Sequence, residues 1–285
     1  MHKTVERPRN RGMLIKLYTL LMITALCILC AGAGTAAFAE PASTAETATQ
    51  ETKSQKVVWK EKKNYFYCTV NKKRQKGLQT INGKTYLFDN KGRQQTGWRK
   101  VGNKTYFFEI KNGQAGCMVT GQTVNGIKLG KDGVAKVTGS NSRKASLLVR
   151  FQKLADSLVK PGMKKKEKLK TVFLHCRGFR YVGIQDPDDE GDWDVFLGEW
   201  FLDKGYGDCQ VRAAGFAYLA NAVGYKDVTL RKYDHMSVEI GKRFYDPRIG
   251  NPKGDSDPLE YFGGTRRTMR SHYHHQKIND PYRVI

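Results

Sequence analysis

The sequence predicts an α+β protein in which a solenoid of β-hairpin repeats precedes a helix-and-sheet domain. An aromatic repeat of about twenty residues, with Asn-Gly turns, runs through the first half of the chain. The second half holds helical apolar patterns, a helix that begins at a cysteine, and three strand patterns. At 285 residues the chain is long enough for two modest domains, each with a core of its own.

Residues 1–39 are typical of a signal peptide. A basic stretch, an apolar run over Leu17–Leu29 and the small-x-small site Ala37–Ala39 follow one another in the order of a secretory signal. We expect cleavage before Glu40, with a retained membrane anchor as the alternative. Residues 40–56 offer almost nothing to bury and are predicted to be a flexible linker.

The charge of the chain indicates an anionic partner. The formal charge is +23, and residues 1–39 contribute five basic and one acidic side chain, so the exported chain carries 23 − 4 = +19. Nucleic acid, an anionic membrane and an anionic polymer outside the cell all attract such a polycation. Export favours the extracellular polymer, so we expect no specific nucleic-acid partner and no permanent membrane anchor.

The repeats occupy residues 57–140. Gly83-Lys84-Thr85-Tyr86-Leu87-Phe88 and Gly102-Asn103-Lys104-Thr105-Tyr106-Phe107-Phe108 are two copies of one strand pattern, and Asn125-Gly126 marks a weaker third copy. Asn-Gly steps supply the positive φ of tight turns, and alternating aromatic and polar residues indicate strands. A lone hairpin is marginal, so the units are expected to stack.

These units resemble the choline-binding-like, cell-wall-binding repeats of bacterial surface proteins. The resemblance implies aromatic contacts with a cell-wall polymer or peptidoglycan, through Trp98, Tyr86 and Tyr106. A ring face attracts a quaternary ammonium electrostatically. The alternative is that these aromatic residues only hold stacked hairpins together.

The second domain is predicted over residues 141–265, with residues 266–285 as a solvated C-terminal tail. Apolar residues at helical spacing lead to Gly205-Tyr206-Gly207-Asp208-Cys209, which opens a further helix with Asp208 as its N-cap. The N-terminus of a helix favours a thiolate and offers free amides to an oxyanion. Cys209 is therefore a candidate nucleophile.

The segment after this helix predicts partners for the cysteine. His235–Ile240 and Arg243–Asp246 form a hairpin if Gly241-Lys242 is a two-residue type II′ turn. This register places His235 diagonally beside Asp246 on one face of the hairpin. Cys209 would attack an acyl carbon, His235 would hold the thiolate and protonate the leaving group, and Asp246 would orient the imidazole.

The order Gly-x-Cys, His and Tyr-x-Asp-Pro resembles the transglutaminase-like superfamily, which is itself papain-like. Gly207, Cys209, His235 and Tyr245-Asp246-Pro247 carry the resemblance. It implies a cysteine-bearing helix packed on an antiparallel sheet, activity on amide bonds, and no metal or other cofactor. It also makes Tyr181 a possible oxyanion donor, with a packing role as the alternative.

Two competing sites are weaker on chemical grounds. Cys176 lies next to His175, but neighbours in a helix point in different directions, and the cysteine falls on an apolar stripe. The histidines at 272, 274 and 275 lack the spacing that would complete a metal site.

The sequence thus predicts a secreted, wall-associated cysteine enzyme that hydrolyses or transfers amide bonds of a protein or peptide substrate. Peptide hydrolysis is favoured over crosslinking. A catalytically inactive wall-binding protein and a binder of nucleic acid or anionic polymer are the alternatives.

Overall fold

The computed structural model describes residues 55–111, 116–185, 191–232, 235–248, 257–265, 267–268 and 282–285. The predicted signal peptide, most of the linker and the histidines at 272, 274 and 275 lie outside the described residues. Within the described part of the chain, no helix combines the length and apolar composition that crossing a membrane requires.

Each repeat folds as a small antiparallel hairpin. The strands are β1 (Val57–Lys62), β2 (Tyr65–Val70), β3 (Lys73–Arg74), β4 (Gly77–Ile81), β5 (Lys84–Phe88), β6 (Gln94–Gln95), β7 (Gly97–Val101), β8 (Lys104–Phe108), β9 (Thr123–Val124) and β10 (Ile127–Lys128). The turns Asn82-Gly83 and Asn125-Gly126 have positive φ at both positions, as type I′ turns require. The predicted hairpins are confirmed.

Neighbouring repeats bury apolar side chains against one another. Cys68 of the β1–β2 hairpin packs with Ile81 and Phe88 of the β4–β5 hairpin. Leu87 of the β4–β5 hairpin packs with Phe108 of the β7–β8 hairpin. One hairpin has too little apolar surface to form a core alone. The predicted stacking therefore follows from burial that no single repeat achieves.

In the second half of the chain, the other elements pack around one central helix. Within the described residues, a 3-10 turn at Gly139–Asn141 leads into four helices of 12 or more residues and seven further strands. They are α1 (Ser142–Leu158), α2 (Lys165–Arg177), β11 (Arg180–Tyr181), α3 (Trp193–Lys204), β12 (Tyr206–Gly207), α4 (Cys209–Ala222), β13 (Val228–Lys232), β14 (Met236–Ile240), β15 (Arg243–Tyr245), β16 (Phe262–Gly264) and β17 (Tyr282–Val284).

Helix α4 is buried on almost every side. The other three helices pack around it, and it lies on β13 and β14 of an antiparallel sheet with strand order β16-β15-β14-β13-β17. Gly215 allows the closest helix contact, because a Cβ there would lie 2.2 Å from the Phe201 ring. The predicted packing of a cysteine-bearing helix on an antiparallel sheet is present in the structure.

The last repeats share a buried cluster with the helical part, in addition to the two clusters that the repeats form on their own. Trp98, Ile127 and Leu129 of the repeats belong to the same buried cluster as Leu147 and Phe151 of α1. Strand β7 approaches α1 so closely that a Cβ on Gly97 would lie 1.9 Å from Gln152 Oε1. The predicted boundary near residue 140 separates two sequence patterns, and one buried cluster extends across it.

The last residues of the chain also depart from the prediction of a solvated tail. Strand β17 pairs antiparallel with β13, and the Ile285 amide donates to Val228 O at 2.9 Å. Ile285 is buried. The edge of β13 leaves backbone groups that need partners, and the chain terminus supplies them.

Candidate active site

Cys209 is the first residue of α4. The Asp208 carboxylate caps the helix by accepting hydrogen bonds from the amides of Gln210, at 2.9 Å, and Val211, at 3.3 Å. This confirms the predicted N-cap and leaves the Cys209 amide outside the cap. Glycine is required at position 207, two residues before Cys209, because a Cβ on Gly207 would lie 2.4 Å from Val211 Cβ.

The hairpin of β14 and β15 has the predicted register. Ile240 pairs with Arg243 and Val238 pairs with Tyr245. In the turn, Gly241 has a φ of 61°, whereas Lys242 is not among the residues with positive φ, as in a type II′ turn. The sequence therefore determined which residues face each other at this end of the sheet.

This register brings His235 onto Asp246. His235 Nε2 lies 3.0 Å from Asp246 Oδ2, and the Asp246 carboxyl is 1% exposed. The Cys209 thiol is close enough to raise the pKa of the same imidazole. The three side chains that the sequence singled out therefore lie together.

The surroundings of His235 favour the imidazolium. Burial opposes a charged ring, but the hydrogen bonds and negative charges of Asp246 and Cys209 outweigh burial and raise the pKa of His235 to about 9. A cationic imidazole at neutral pH is the partner that a thiolate requires. His235 can therefore carry a positive charge near Cys209 at neutral pH.

Arg248 contacts the Asp246 carboxylate. The sequence analysis did not predict this contact. Its amide donates to Asp246 Oδ1 at 3.0 Å, and its Nε lies 3.5 Å from Asp246 Oδ2. Arg248 Nη2 donates to the Tyr261 hydroxyl at 2.6 Å. The carboxylate thus has partners on both oxygens, which fixes its direction toward His235. The only local signal was an arginine two residues after Asp246.

Tyr181 lies beside the cysteine. Strand β11 pairs parallel with β12 so that Tyr181 is opposite Gly207, two residues before Cys209. Burial, together with the nearby Cys209 and Asp208, raises the pKa of the Tyr181 hydroxyl, although the side chain remains 56% exposed. An exposed hydroxyl at this position can reach a bound substrate. Its role as an oxyanion donor stays a prediction.

Arg212 is a second residue of the site that sequence reasoning missed. It lies one turn after Cys209, is fully buried, and has its guanidinium carbon 5.3 Å from the centre of the Tyr181 ring. Its Nη2 donates to Phe179 O, and its Nε and Nη1 have no hydrogen-bond partner among the described residues. Burial lowers the pKa of this arginine, while Tyr181, Asp246 and Cys209 favour its charge. A positively charged side chain therefore lies one helical turn after the candidate nucleophile.

The other cysteines of the described residues lack these features. Cys176 is completely buried, and burial raises its pKa well above the usual value. Burial also raises the pKa of Cys68 and of Cys117. Over the same residues, no group of three or more His, Cys, Asp or Glu side chains is arranged to hold a metal ion.

The predicted wall-ligand residues lie in three different clusters of the structure. Trp98 is 2% exposed and donates from Nε1 to Asn125 Oδ1 at 2.8 Å, within the core shared with α1. Tyr106 is buried in a second cluster and Tyr86 packs at the border of a third. The part that these three residues take in binding a wall ligand stays a prediction, with packing between hairpins as the alternative.

Part of the repeat region matches a known family. Residues 75–117 match the family model of the choline-binding repeat. The match covers the second and third hairpins and confirms the resemblance for this part of the chain. It ends before the helix-and-sheet half begins. No curated protein matches the chain.

Solved structures similar to part of the chain include two choline-binding proteins and an alternansucrase. The choline binding domain of Spr1274 from Streptococcus pneumoniae is 19% identical, with a TM-score of 0.24, over 28% of this chain and 93% of that one. Choline binding protein F of the same organism is 20% identical, with a TM-score of 0.19, over 28% of this chain and 33% of that one. Alternansucrase is 22% identical, with a TM-score of 0.18, over 29% of this chain and 10% of that one. This chain thus spans a third or less of the two larger proteins.

Proposed function

We propose that this protein is a cell-surface cysteine enzyme that cleaves or exchanges amide bonds through a thioester, held at the wall by its choline-binding-type repeats. One observation carries the proposal. The half-buried His235 imidazole lies 3.0 Å from the Asp246 carboxylate, and the Cys209 thiol at the N-terminus of α4 is close enough to raise the pKa of the same ring.

The first half of the reaction forms a thioester. The Cys209 thiolate attacks the carbonyl carbon of an amide, and the electron pair of the carbonyl moves to oxygen. When the tetrahedral intermediate collapses, the C–N bond breaks and the amine leaves with a proton from the His235 imidazolium. Asp246 keeps the ring oriented and stabilises its charge.

The second half regenerates the cysteine. His235, now neutral, takes a proton from water or from an acceptor amine as that nucleophile attacks the thioester carbonyl. The C–S bond breaks, and the thiolate again pairs with the imidazolium. Water yields a carboxylic acid, whereas an amine yields a new amide. We favour hydrolysis of a peptide amide as the principal outcome.

Two groups are positioned to stabilise the oxyanion. The Cys209 amide is the one amide among the first three of α4 that the Asp208 carboxylate does not engage, and amides at a helix N-terminus stabilise negative charge. The Tyr181 hydroxyl is the candidate second donor, because its strand runs alongside Gly207. Arg212 adds a positive charge beneath the cysteine.

The test of the proposal measures the reactivity of Cys209 without a known substrate. The native protein is alkylated with iodoacetamide from pH 5 to 10, and each cysteine is followed by peptide mass spectrometry. Cys209 is expected to react rapidly below pH 7 and to slow in His235→Ala. Cys68, Cys117 and Cys176, whose pKa values burial raises, are internal controls. Labelling of Cys209 no faster than these controls, or only above about pH 8.5 as for an ordinary thiol, would refute the proposal.

A second experiment separates hydrolysis from transfer. Peptide substrates are incubated with the enzyme in the presence of a fluorescent primary amine, and products are resolved by mass. Free carboxylic acid as the main product indicates hydrolysis, whereas incorporated amine indicates transamidation. Cys209→Ala is the control for both products.

The match of residues 75–117 to choline-binding repeats favours a second candidate, an inactive protein that only binds the wall. This candidate assigns the quaternary ammonium to the half-buried Trp59 and Tyr86 rings, whose centroids lie 4.9 Å apart. This candidate predicts choline-dependent retention on walls, an ordinary Cys209 thiol and no turnover of any amide.

A further inference from the structure

A groove of about 610 Å³ separates the first two repeats from the junction of α1 and α2. Its walls come from the β1–β2 turn, from the segment around β6, and from the loop that joins the two helices. Asn64 Nδ2 donates to Pro161 O at 3.4 Å where the hairpin turn meets that loop. The volume is in the range of ligand sites, roughly 300–1,000 Å³.

The lining of the groove is strongly cationic. Seven lysine and arginine side chains line it against two carboxylates, those of Glu61 and Asp156. Tyr65 adds a ring, over which the Arg93 guanidinium lies at 4.8 Å from the centroid. The cationic character is thus concentrated on residues that face one another across a concave surface.

Three of the seven cations are already neutralised. Arg93 pairs with Asp89 at 2.6 Å and Lys111 pairs with Glu109 at 2.8 Å. Arg99 pairs with Asp156, one of the two groove carboxylates. The arginines therefore leave little charge for a ligand.

The lysines at the helix junction remain without a carboxylate. Lys160, Lys164 and Lys168 have no ion-pair partner among the described residues, and Lys165 instead lies 4.4 Å from the centre of the Tyr225 ring. Lys168 is half-buried, and that burial lowers its pKa. An anion in the groove would supply the missing counter-charge.

We propose that this groove binds a linear polymer that carries repeated phosphate groups. The free cations are lysines, whose compact ammonium groups bind phosphate as point charges, whereas the arginines, whose planar fork suits carboxylate and phosphate alike, are occupied. Lys164 and Lys168 are one helical turn apart, a rise of about 6 Å, so successive anionic groups along one chain meet successive lysines.

The groove is separate from the candidate active site. Cys209, His235 and Asp246 do not line it. Tyr225, which contacts Lys165, follows the C-terminal end of α4, whereas Cys209 begins that helix. Since α4 has 14 residues, the two sites lie on the order of 20 Å apart. Binding in the groove does not rest on the proposed chemistry at Cys209.

The test uses long-chain inorganic polyphosphate as the probe and Cys209→Ala protein, so that catalysis plays no part. Binding is measured by calorimetry at low and at physiological salt. The triple variant Lys160→Gln, Lys164→Gln, Lys168→Gln is expected to lose on the order of 100-fold in affinity at low salt and to show a shallower dependence on salt. Its circular dichroism should match that of the parent protein, because all three side chains lie at the surface of the groove.

The matched control removes the same charge from exposed lysines of β7, β8 and β10, which do not line the groove: Lys100→Gln, Lys104→Gln, Lys128→Gln. This control should retain affinity within about threefold, since its charges act only at long range. Equal losses in both triple variants would mean diffuse electrostatic attraction and would overturn the proposal. So would the absence of polyphosphate binding, or equally tight binding of polyglutamate, whose charges are carboxylates.

Discussion

The pair formed by His235 and Asp246 makes a quantitative prediction about the pH dependence of stability. The pKa of His235 is about 9 in the folded protein, compared with about 6.5 in an unfolded chain. A difference of about 2.5 units corresponds to about 3 kcal/mol of unfolding free energy. Because the folded-state pKa is the higher one, this stability is fully present below pH 6.5 and is lost as the pH rises through 9.

The perturbation is Asp246→Asn, which removes the charge with little change in shape. The variant should lower the pKa of His235 toward or below 6.5, since burial then acts on the imidazole with one fewer negative charge. Urea unfolding at pH 6 and pH 9.5 should show the difference. The wild type should lose about 3 kcal/mol more than the variant between these two pH values.

The control makes the same chemical change at an exposed position. Asp227 is exposed, and its positive φ is one that asparagine tolerates, so Asp227→Asn should keep the wild-type pH dependence. Histidine NMR gives the pKa of His235 directly. A wild-type value at or below 6.5, or one that Asp246→Asn leaves unchanged, would refute the assignment of an imidazolium to this site.

Four further changes test other parts of the structure. Cys209→Ala should abolish amide turnover while leaving the thermal midpoint within a few degrees of wild type; residual turnover would point to another nucleophile. Trp98→Ala should cost about 3–5 kcal/mol of unfolding free energy, because Trp98 is buried in the shared core; a cost under 1 kcal/mol by urea denaturation would contradict that packing. Trp59→Ala should weaken choline binding, measured by fluorescence titration, at least tenfold, and unchanged binding would place the ligand elsewhere. Ile285→Asp should lower stability by about 2–4 kcal/mol, since Ile285 is 4% exposed, and unchanged hydrogen exchange in β13 would argue against the β17 pairing.

The repeats show how far periodicity alone reaches. Asn-Gly steps and alternating aromatic residues predicted hairpins, and the structure has them with the expected turns. The same pattern did not indicate that Trp98 is buried. The position of Trp98 within its repeat says nothing about which other element covers it, and α1, which begins more than forty residues later, covers it.

In the candidate active site, too, the sequence predicted some contacts and missed others. Cys209 and Asp208 were predictable because helix capping is local in sequence. The contact between His235 and Asp246 was predictable because a two-residue turn determines the register of a hairpin. The roles of Arg212 and Arg248 could not be predicted, because the sequence around an arginine in a helix or loop does not indicate whether the side chain is buried or which residue it contacts.

By itself the sequence determined the local structure: turns, caps, strand register, and therefore which of the candidate residues could meet within one hairpin or one helical turn. Only the tertiary structure decided which surfaces remained open. It joined the repeats to the helical half through one core, recruited residues 282–284 as the edge strand β17, and assembled a cationic groove from segments far apart in the chain. The physical reason is that local rules act through backbone geometry over a few residues, whereas burial depends on every element that competes for the same apolar surface.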